Sequence, residues 1–214
     1  MAFDYKKEYK EFYMPKNKPS IVTIPKMNYL AVRGSGNPND EHGEYKESIG
    51  LLYSIAFTIK MSYKGNYKID GYFSYVVPPL EGFWWQEHVK GMNYTRKEDL
   101  KFISIIRLPD FVSKEDFDWA IKEATLKKKQ DFSKVEFLTY EEGTCVQAMH
   151  IGSYDDEPKT VQLMHDYMKE FGYELDITEE RYHHEIYLSD PRRCDVSKLK
   201  TVIRHPIKRE NKNE

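Results

Sequence analysis

The two halves of this chain look alike, and that repetition limits its architecture more than any other feature. Ala31-Val32-Arg33-Gly34-Ser35-Gly36 precedes a polar loop and a helical pattern, and Ala148-Met149-His150-Ile151-Gly152-Ser153 does the same. Tyr72-Phe73-Ser74-Tyr75-Val76-Val77-Pro78-Pro79 can be set beside His184-Glu185-Ile186-Tyr187-Leu188-Ser189-Asp190-Pro191, and Ile106-Arg107-Leu108-Pro109 beside Ile203-Arg204-His205-Pro206. Each half reads as strand, strand, helix, strand, strand, with one further helix at the join. A duplicated unit of this kind predicts an α+β fold with a mostly antiparallel sheet, pseudo-two-fold symmetry and a ligand cleft between the halves. The expected boundaries are an N-terminal extension at 1–17, one domain at 18–207 with halves at 18–130 and 131–207, and a flexible, solvated tail at 208–214.

Three helices follow from punctuation and periodicity. The first comes after the turn-rich stretch Gly34 to Asp40 and shows Ile49, Leu52, Tyr53, Ala56 and Phe57 at helical spacing. The second opens at Ser113, with Asp116 three residues on, and runs through Phe117, Ala120, Ile121 and Ala124 to Lys127-Lys128-Lys129. In the third, Asp155-Asp156-Glu157 and Pro158 lead into Val161, Met164, Tyr167, Met168 and Phe171, and Gly172 ends it. β-branched and aromatic content predicts strands at 20–24, 29–33, 71–77, 102–108, 134–140, 144–150, 182–188 and 200–205.

With 214 residues the chain can bury a substantial core without disulfides or metals. Lys and Arg number 33 against 35 Asp and Glu, so the field that would recruit nucleic acid or an anionic membrane is missing, and neither is expected as a partner. Two cysteines, Cys145 and Cys194, have no CxxC spacing and read as plain thiols of a reducing compartment. With no signal-peptide pattern and no apolar run of spanning length, a cytoplasmic location is expected. Aromatic residues make up 14% of the chain, so much of its apolar surface is flat and carries a polar tip.

Alternation along 182–188 puts His183, Glu185, Tyr187 and Ser189 on one face and Tyr182, His184, Ile186 and Leu188 on the other, the second face reading as core. Glu185 is either a surface or ion-paired carboxylate, with Arg192 or Arg193 as partner, or one kept for a purpose. Under the half-to-half alignment, Phe73 and Tyr75 face Glu185 and Tyr187 across the axis. In Pro78-Pro79-Leu80-Glu81-Gly82-Phe83-Trp84-Trp85 the two prolines set an extended entry and Gly82 permits a turn. Three consecutive aromatics cannot all face one core, so at least one is free to line a cleft. Tyr53 and His183 complete the candidate ligand-binding set of Phe73, Tyr75, Phe83, Trp84 and Trp85. Trp119 reads as a packing residue or a cleft lip. No metal site or cofactor is expected: His183 and His184 point to opposite faces, no zinc spacing occurs, and Gly34-Ser35-Gly36 lacks the rest of a phosphate loop. No G-x-S-x-G elbow is present.

Leu80-Glu81-Gly82-Phe83-Trp84-Trp85, His184-Glu185-Ile186-Tyr187-Leu188-Ser189-Asp190-Pro191-Arg192-Arg193 and Lys198-Leu199-Lys200-Thr201-Val202-Ile203-Arg204 together resemble the stand-alone GyrI-like small-molecule-binding proteins, over roughly Lys18 to Pro206. The resemblance implies the effector-binding fold of multidrug-responsive regulators, in which a Glu matched by Glu185 receives cationic aromatic drugs. About 20 residues precede the first strand, too few for a helix-turn-helix, so ligand binding without DNA regulation is implied. One stand-alone subfamily, the cyclopropanoid cyclopropyl hydrolases, opens the cyclopropane of DNA-alkylating compounds such as yatakemycin in an aromatic cage. The resemblance then implies catalytic roles for Glu185 and Tyr187 and a planar aromatic or lipophilic ligand. Two other readings stay open: a non-catalytic binder of cationic aromatic drugs, and a gyrase-inhibitor-like interaction module.

Overall fold

A computed structural model describes residues 2–89, 92–93 and 95–210. Its elements, in chain order, are the short helices α1 (Tyr5–Glu8) and α2 (Lys10–Tyr13), then β1 (Ser20–Ser35), α3 (Glu44–Lys60), β2 (Leu80–Trp85), β3 (Lys101–Arg107), α4 (Lys114–Lys128), β4 (Glu136–Ile151), α5 (Glu157–Glu170), β5 (Tyr173–Leu175), β6 (His183–Tyr187) and β7 (Lys200–Arg209). Every ladder is antiparallel. β4 pairs with β1, β1 with β3, β3 with β2, β2 with β6, β6 with β7, and β7 returns to β4, so six strands close on themselves while β5 adds to the far end of β7. Closure leaves no long edge to template aggregation.

Two long strands replace four predicted ones. β1 runs straight through Pro25, which the ladder skips between Ile24↔Gly143 and Lys26↔Glu141. Proline offers no ladder donor, and Gly143, the partner of the preceding Ile24, takes φ +70°, a left-handed conformation that glycine adopts without strain. The pairing therefore continues past the proline on both sides. The predicted strand at 71–77 is not a strand: Tyr75 makes only an isolated bridge to Phe3. The strand lies instead at Leu80–Trp85, where a turn was expected at Gly82, and its burial on both faces explains the apolar run. Partnered residues change with it, and Glu185 lies opposite Gly82 in the β2–β6 ladder.

Side chains alternate between a face covered by helices and the face turned away from them. α3 and α4 bury Leu51, Leu52, Ile55, Ile59, Phe117 and Ala120 against Leu30, Val32 and Ile106. α4 is capped as its sequence predicts, with Ser113 and Asp116 exchanging both bonds of a capping box. α5 buries Met164 and Met168 against Val146, Ala148 and Ile203. On the other face, Tyr5, Phe12 and Tyr13 of the N-terminal segment join Ile103, Ile105, Phe83 and Val202 in a second core. The Arg107 guanidinium lies 4.9 Å and 4.6 Å from the Tyr5 and Tyr9 ring centroids, so residues expected as a bare extension are held by stacking on a cation. β7 continues through Lys208 and Arg209, the first residues of the expected tail; 211–214 lie outside the described residues.

This second core contains a buried ionic network. Arg204 donates to Glu142 Oε2 at 2.9 Å, to the Phe12 carbonyl at 2.7 Å and to Gln147 Oε1 at 3.1 Å and 3.0 Å. His184 bridges Glu142 (3.1 Å, through Nδ1) and Glu81 (2.9 Å, through Nε2). Burial opposes the charge on His184, but the two carboxylates prevail and raise its pKa.

Candidate active site

The helix-covered face of β2 and β6 brings one group of polar side chains together where α3 and the start of α5 approach. Strand alternation puts His183, Glu185 and Tyr187 on this face, as the sequence predicts, and Trp84 from β2 beside them. The Trp84 indole folds back over Gly82 and donates to the Tyr187 hydroxyl at 2.9 Å. A Cβ on Gly82 would lie 2.6 Å from the indole nitrogen and 3.2 Å from that hydroxyl, so the glycine permits a close approach here and makes no turn. Tyr187 in turn hydrogen-bonds Tyr45 of α3, and burial holds its phenol well above the usual range. Rings of Tyr45, Trp84 and Phe102 lie 5.1–5.5 Å apart, and Tyr154 meets Tyr187 edge-on at 6.1 Å.

Gly82→Ala is expected to break the Trp84–Tyr187 bond and cost about 1–3 kcal/mol through overpacking. Chemical denaturation and the tryptophan emission maximum would register both changes; an unchanged spectrum would contradict this geometry.

Below the rings lies an acid–histidine cluster. His183 Nε2 is 3.1 Å from Glu185 Oε1 and 3.1 Å from Glu157 Oε1. Both neighbours are acceptors, so that nitrogen carries a proton. Burial works against a charged His183, yet Glu157 and Glu185 push its pKa up to about 10. Glu157 is raised by burial and by repulsion from Glu185, with His183 acting against both. Glu157 and His183 are 1% exposed and the Glu185 side chain 12%, so Glu185 is the member that reaches the surface.

The sequence-predicted residues divide. Glu185, Tyr187, His183 and Trp84 come together. Phe83 and Trp85 point to the opposite face, against Tyr140, Tyr182 and His184 and against Tyr182 respectively. Phe73 packs on Phe3 and Phe111, and Tyr75 on Tyr72 and Phe111, so neither faces Glu185. Tyr53 is half-buried on α3 and lines a separate groove of about 1040 Å³ beside Phe57, Tyr67 and Trp119. Trp119 stacks on Tyr67 at 4.2 Å, one of the two roles expected of it. Three functional candidates went unread in sequence: Tyr45, Tyr154 and Glu157. Glu157 precedes Pro158 and reads as an ordinary acid at a helix start; only the fold shows that it faces His183.

The metal question also changes. His183 and His184 do diverge, but Glu157, His183 and Glu185 hold ligating atoms within 4.8 Å of one another and could hold a cation. The same geometry lets a proton on His183 Nε2 bond both carboxylates.

Residues 17–208 match the model of the GyrI-like small molecule binding domain. The chain belongs to the GyrI-like family. An uncharacterized conserved protein from Listeria innocua is 46% identical, with 97% of this chain and 100% of that chain covered and a TM-score of 0.91. A hydrolase from Listeria innocua is 44% identical over 97% of this chain and 100% of its own, with a TM-score of 0.88. The C-terminal domain of EcmrR, at 14% identity, 90% and 98% coverage and a TM-score of 0.55, shares the fold alone. No curated protein matches the chain. Among the described residues of this GyrI-like protein, no helix is long and apolar enough to cross a membrane.

Proposed function

We propose that this GyrI-like protein binds flat aromatic xenobiotics over Glu185 and hydrolyses the cyclopropane of DNA-alkylating cyclopropanoids of the yatakemycin kind, protecting the cell. The observation that carries this reading is one partly exposed carboxylate, anchored by His183 and roofed by Tyr45, Tyr154, Trp84 and Tyr187. A ligand enters past the half-buried rings of Tyr45 and Tyr154 at the rim. Stacking and area burial hold a conjugated apolar ligand without any strong field.

Such a substrate is already electrophilic at its strained ring. Water held by Glu185 attacks the ring methylene; a C–O bond forms, the ring C–C bond breaks, and the electron pair moves to the conjugated carbonyl oxygen as the ring becomes a phenolate. Glu185 takes the proton of the water. Trp84 donates to Tyr187 and Tyr187 to Tyr45, which leaves the Tyr45 O–H to donate to the developing oxyanion. Glu185 and Tyr187 keep the catalytic roles read from sequence, and Tyr45 joins them.

The reading also takes β1, α3, β2 and β3 as one copy and β4, α5, β6 and β7 as the other. Support comes from ladders in which β1 meets β4, β2 meets β6, and β3 and β7 occupy equivalent places. The active cleft then follows the line between the copies.

Incubating the protein with yatakemycin and weighing the product tests the reaction: a species heavier by one water is expected, and its absence would end the hydrolytic reading. A second titration separates catalysis from simple capture. If the site is a counter-ion for drugs, tryptophan fluorescence will report tighter binding of tetraphenylphosphonium than of a neutral planar ligand, and Glu185→Gln will abolish the preference. Hydrolysis instead requires that the neutral planar ligand bind well.

A further inference from the structure

We propose that His183, His205 and His165 form a proton wire joining the buried Glu157–His183–Glu185 cluster to solvent on the outer side of α5. His183 Nδ1 lies 2.6 Å from His205 Nε2, and His205 Nδ1 lies 3.0 Å from His165 Nε2. His183 and His205 are 1% and 2% exposed, whereas His165 on α5 is half-buried, so the line runs from the core to the surface. His183 and His205 each use one nitrogen toward the cluster and the other toward the next ring, and His165 uses Nε2 toward His205. The three rings come from three different elements: β6, β7 and α5.

Two proton arrangements satisfy every one of these contacts. In the first, His183 is an imidazolium: its Nε2–H serves the carboxylates, its Nδ1–H donates to His205 Nε2, His205 Nδ1–H donates to His165 Nε2, and His165 carries its proton on Nδ1. In the second, all three rings are neutral and protonated on Nε2, and each ring after His183 donates back toward the cluster. They differ by one proton, released from or taken up at His165 Nδ1 by water. No heavy atom moves between them.

The groups around the wire agree with the first arrangement at neutral pH. Burial, then the neighbouring His183 and His165, hold His205 neutral. Burial and Lys169 lower His165, with Asp166 and His183 as its other charged neighbours. Around His183 stand Glu157 and Glu185, with His150 acting on Glu157 and Tyr154 facing Glu185.

The wire's use in turnover rests on the hydrolytic reading. When Glu185 takes the proton of the attacking water, one negative charge beside His183 is lost. His183 Nδ1–H passes to His205, His205 Nδ1–H to His165, and His165 Nδ1–H to solvent. One proton enters and one leaves, so the cluster keeps its charge under a covered cleft. Once product departs, Glu185 loses its proton to water and the wire recharges His183.

Nitrogen-15 NMR of histidine-labelled, ligand-free protein tests the wire independently of any reaction. As pH rises through the loss of charge on His183, near 10, His205 should switch from the Nδ1–H to the Nε2–H tautomer at the same midpoint without itself becoming charged. A His205 tautomer that stays fixed through that titration would overturn the wire. Turnover supplies the second measurement: half-buried His165→Ala should slow yatakemycin hydrolysis at least about tenfold, below the roughly 10²–10⁴-fold of a group acting on substrate. Added 4-methylimidazole should restore the rate, with ligand affinity unchanged. A loss that 4-methylimidazole does not restore, or no loss, would count against the wire. Absence of hydrolysis in the wild type would remove the reaction but leave the tautomer titration to decide the wire.

Discussion

Glu185→Gln is expected to lower cyclopropanoid hydrolysis by roughly 10²–10⁴-fold while leaving the affinity for a neutral planar ligand nearly unchanged. The amide is the same size and keeps a hydrogen-bond acceptor for His183 Nε2, so the 3.1 Å contact and the aromatic roof survive. What is lost is the capacity to take a proton from water. Two readouts therefore separate: single-turnover kinetics should collapse, and tryptophan quenching should not. A further consequence follows at His183. Glu185 is one of the two carboxylates that raise it, so its midpoint should fall from about 10 while burial, which lowers it, is unchanged. Retention of more than about a tenth of the wild-type rate would exclude Glu185 as the base.

Arg204→Met should be the most damaging substitution away from the cleft, costing about 3–5 kcal/mol. Arg204 is 2% exposed and holds Glu142, Gln147 and the Phe12 carbonyl at once, so its removal leaves the Phe12 carbonyl and Gln147 Oε1 without their buried donor and removes one of the ties between the N-terminal segment and the sheet. For a chain of this size the melting temperature should drop by about 6–20 °C, which calorimetry would measure. Loss under about 1 kcal/mol would contradict the network as drawn. Its pH dependence has a definite sign. Burial works to raise Glu142, but His184 and Arg204 lower it from 4.5 to about 2, so its contribution is present above its ordinary value and lost as pH falls through about 2. His184 is raised, so its contribution is complete below 6.5 and fades as pH rises through its folded value. The network is strongest between those limits, and wild-type stability in acid should decline faster than that of Arg204→Met.

The two histidines show how little of this chemistry a linear pattern reveals. His183 and His184 are neighbours, and period-two alternation correctly sends them to opposite faces. Each then sits between two carboxylates: Glu157 and Glu185 for one, Glu142 and Glu81 for the other. Three of those partners lie on other elements, so no local pattern could pair them.

Legibility in the sequence followed the range of the forces involved. Helix ends, the Ser113–Asp116 capping box and the face carrying Glu185 and Tyr187 depend on contacts within a few residues, and all were readable. The strand at 80–85 was misread as a turn because Gly82 carries a turn signal, whereas its actual role is to let the Trp84 indole cross the strand and reach a residue of β6. Phe73 and Tyr75 do not stand opposite Glu185, because likeness of residue type between the halves does not fix strand register, and β6 takes Leu80–Trp85 as its neighbour.

Local propensity and repetition determined an α+β chain, antiparallel strands and one strand face bearing a carboxylate and a phenol. The tertiary structure decided which aromatic of Phe83-Trp84-Trp85 joins them, that Glu157 and Tyr45 belong to the site, and that His205 and His165 stand behind it. Those choices depend on which strands pair and how helices cross them, and a desolvated carboxylate takes its character from neighbours that are distant in sequence and a few ångströms away in space.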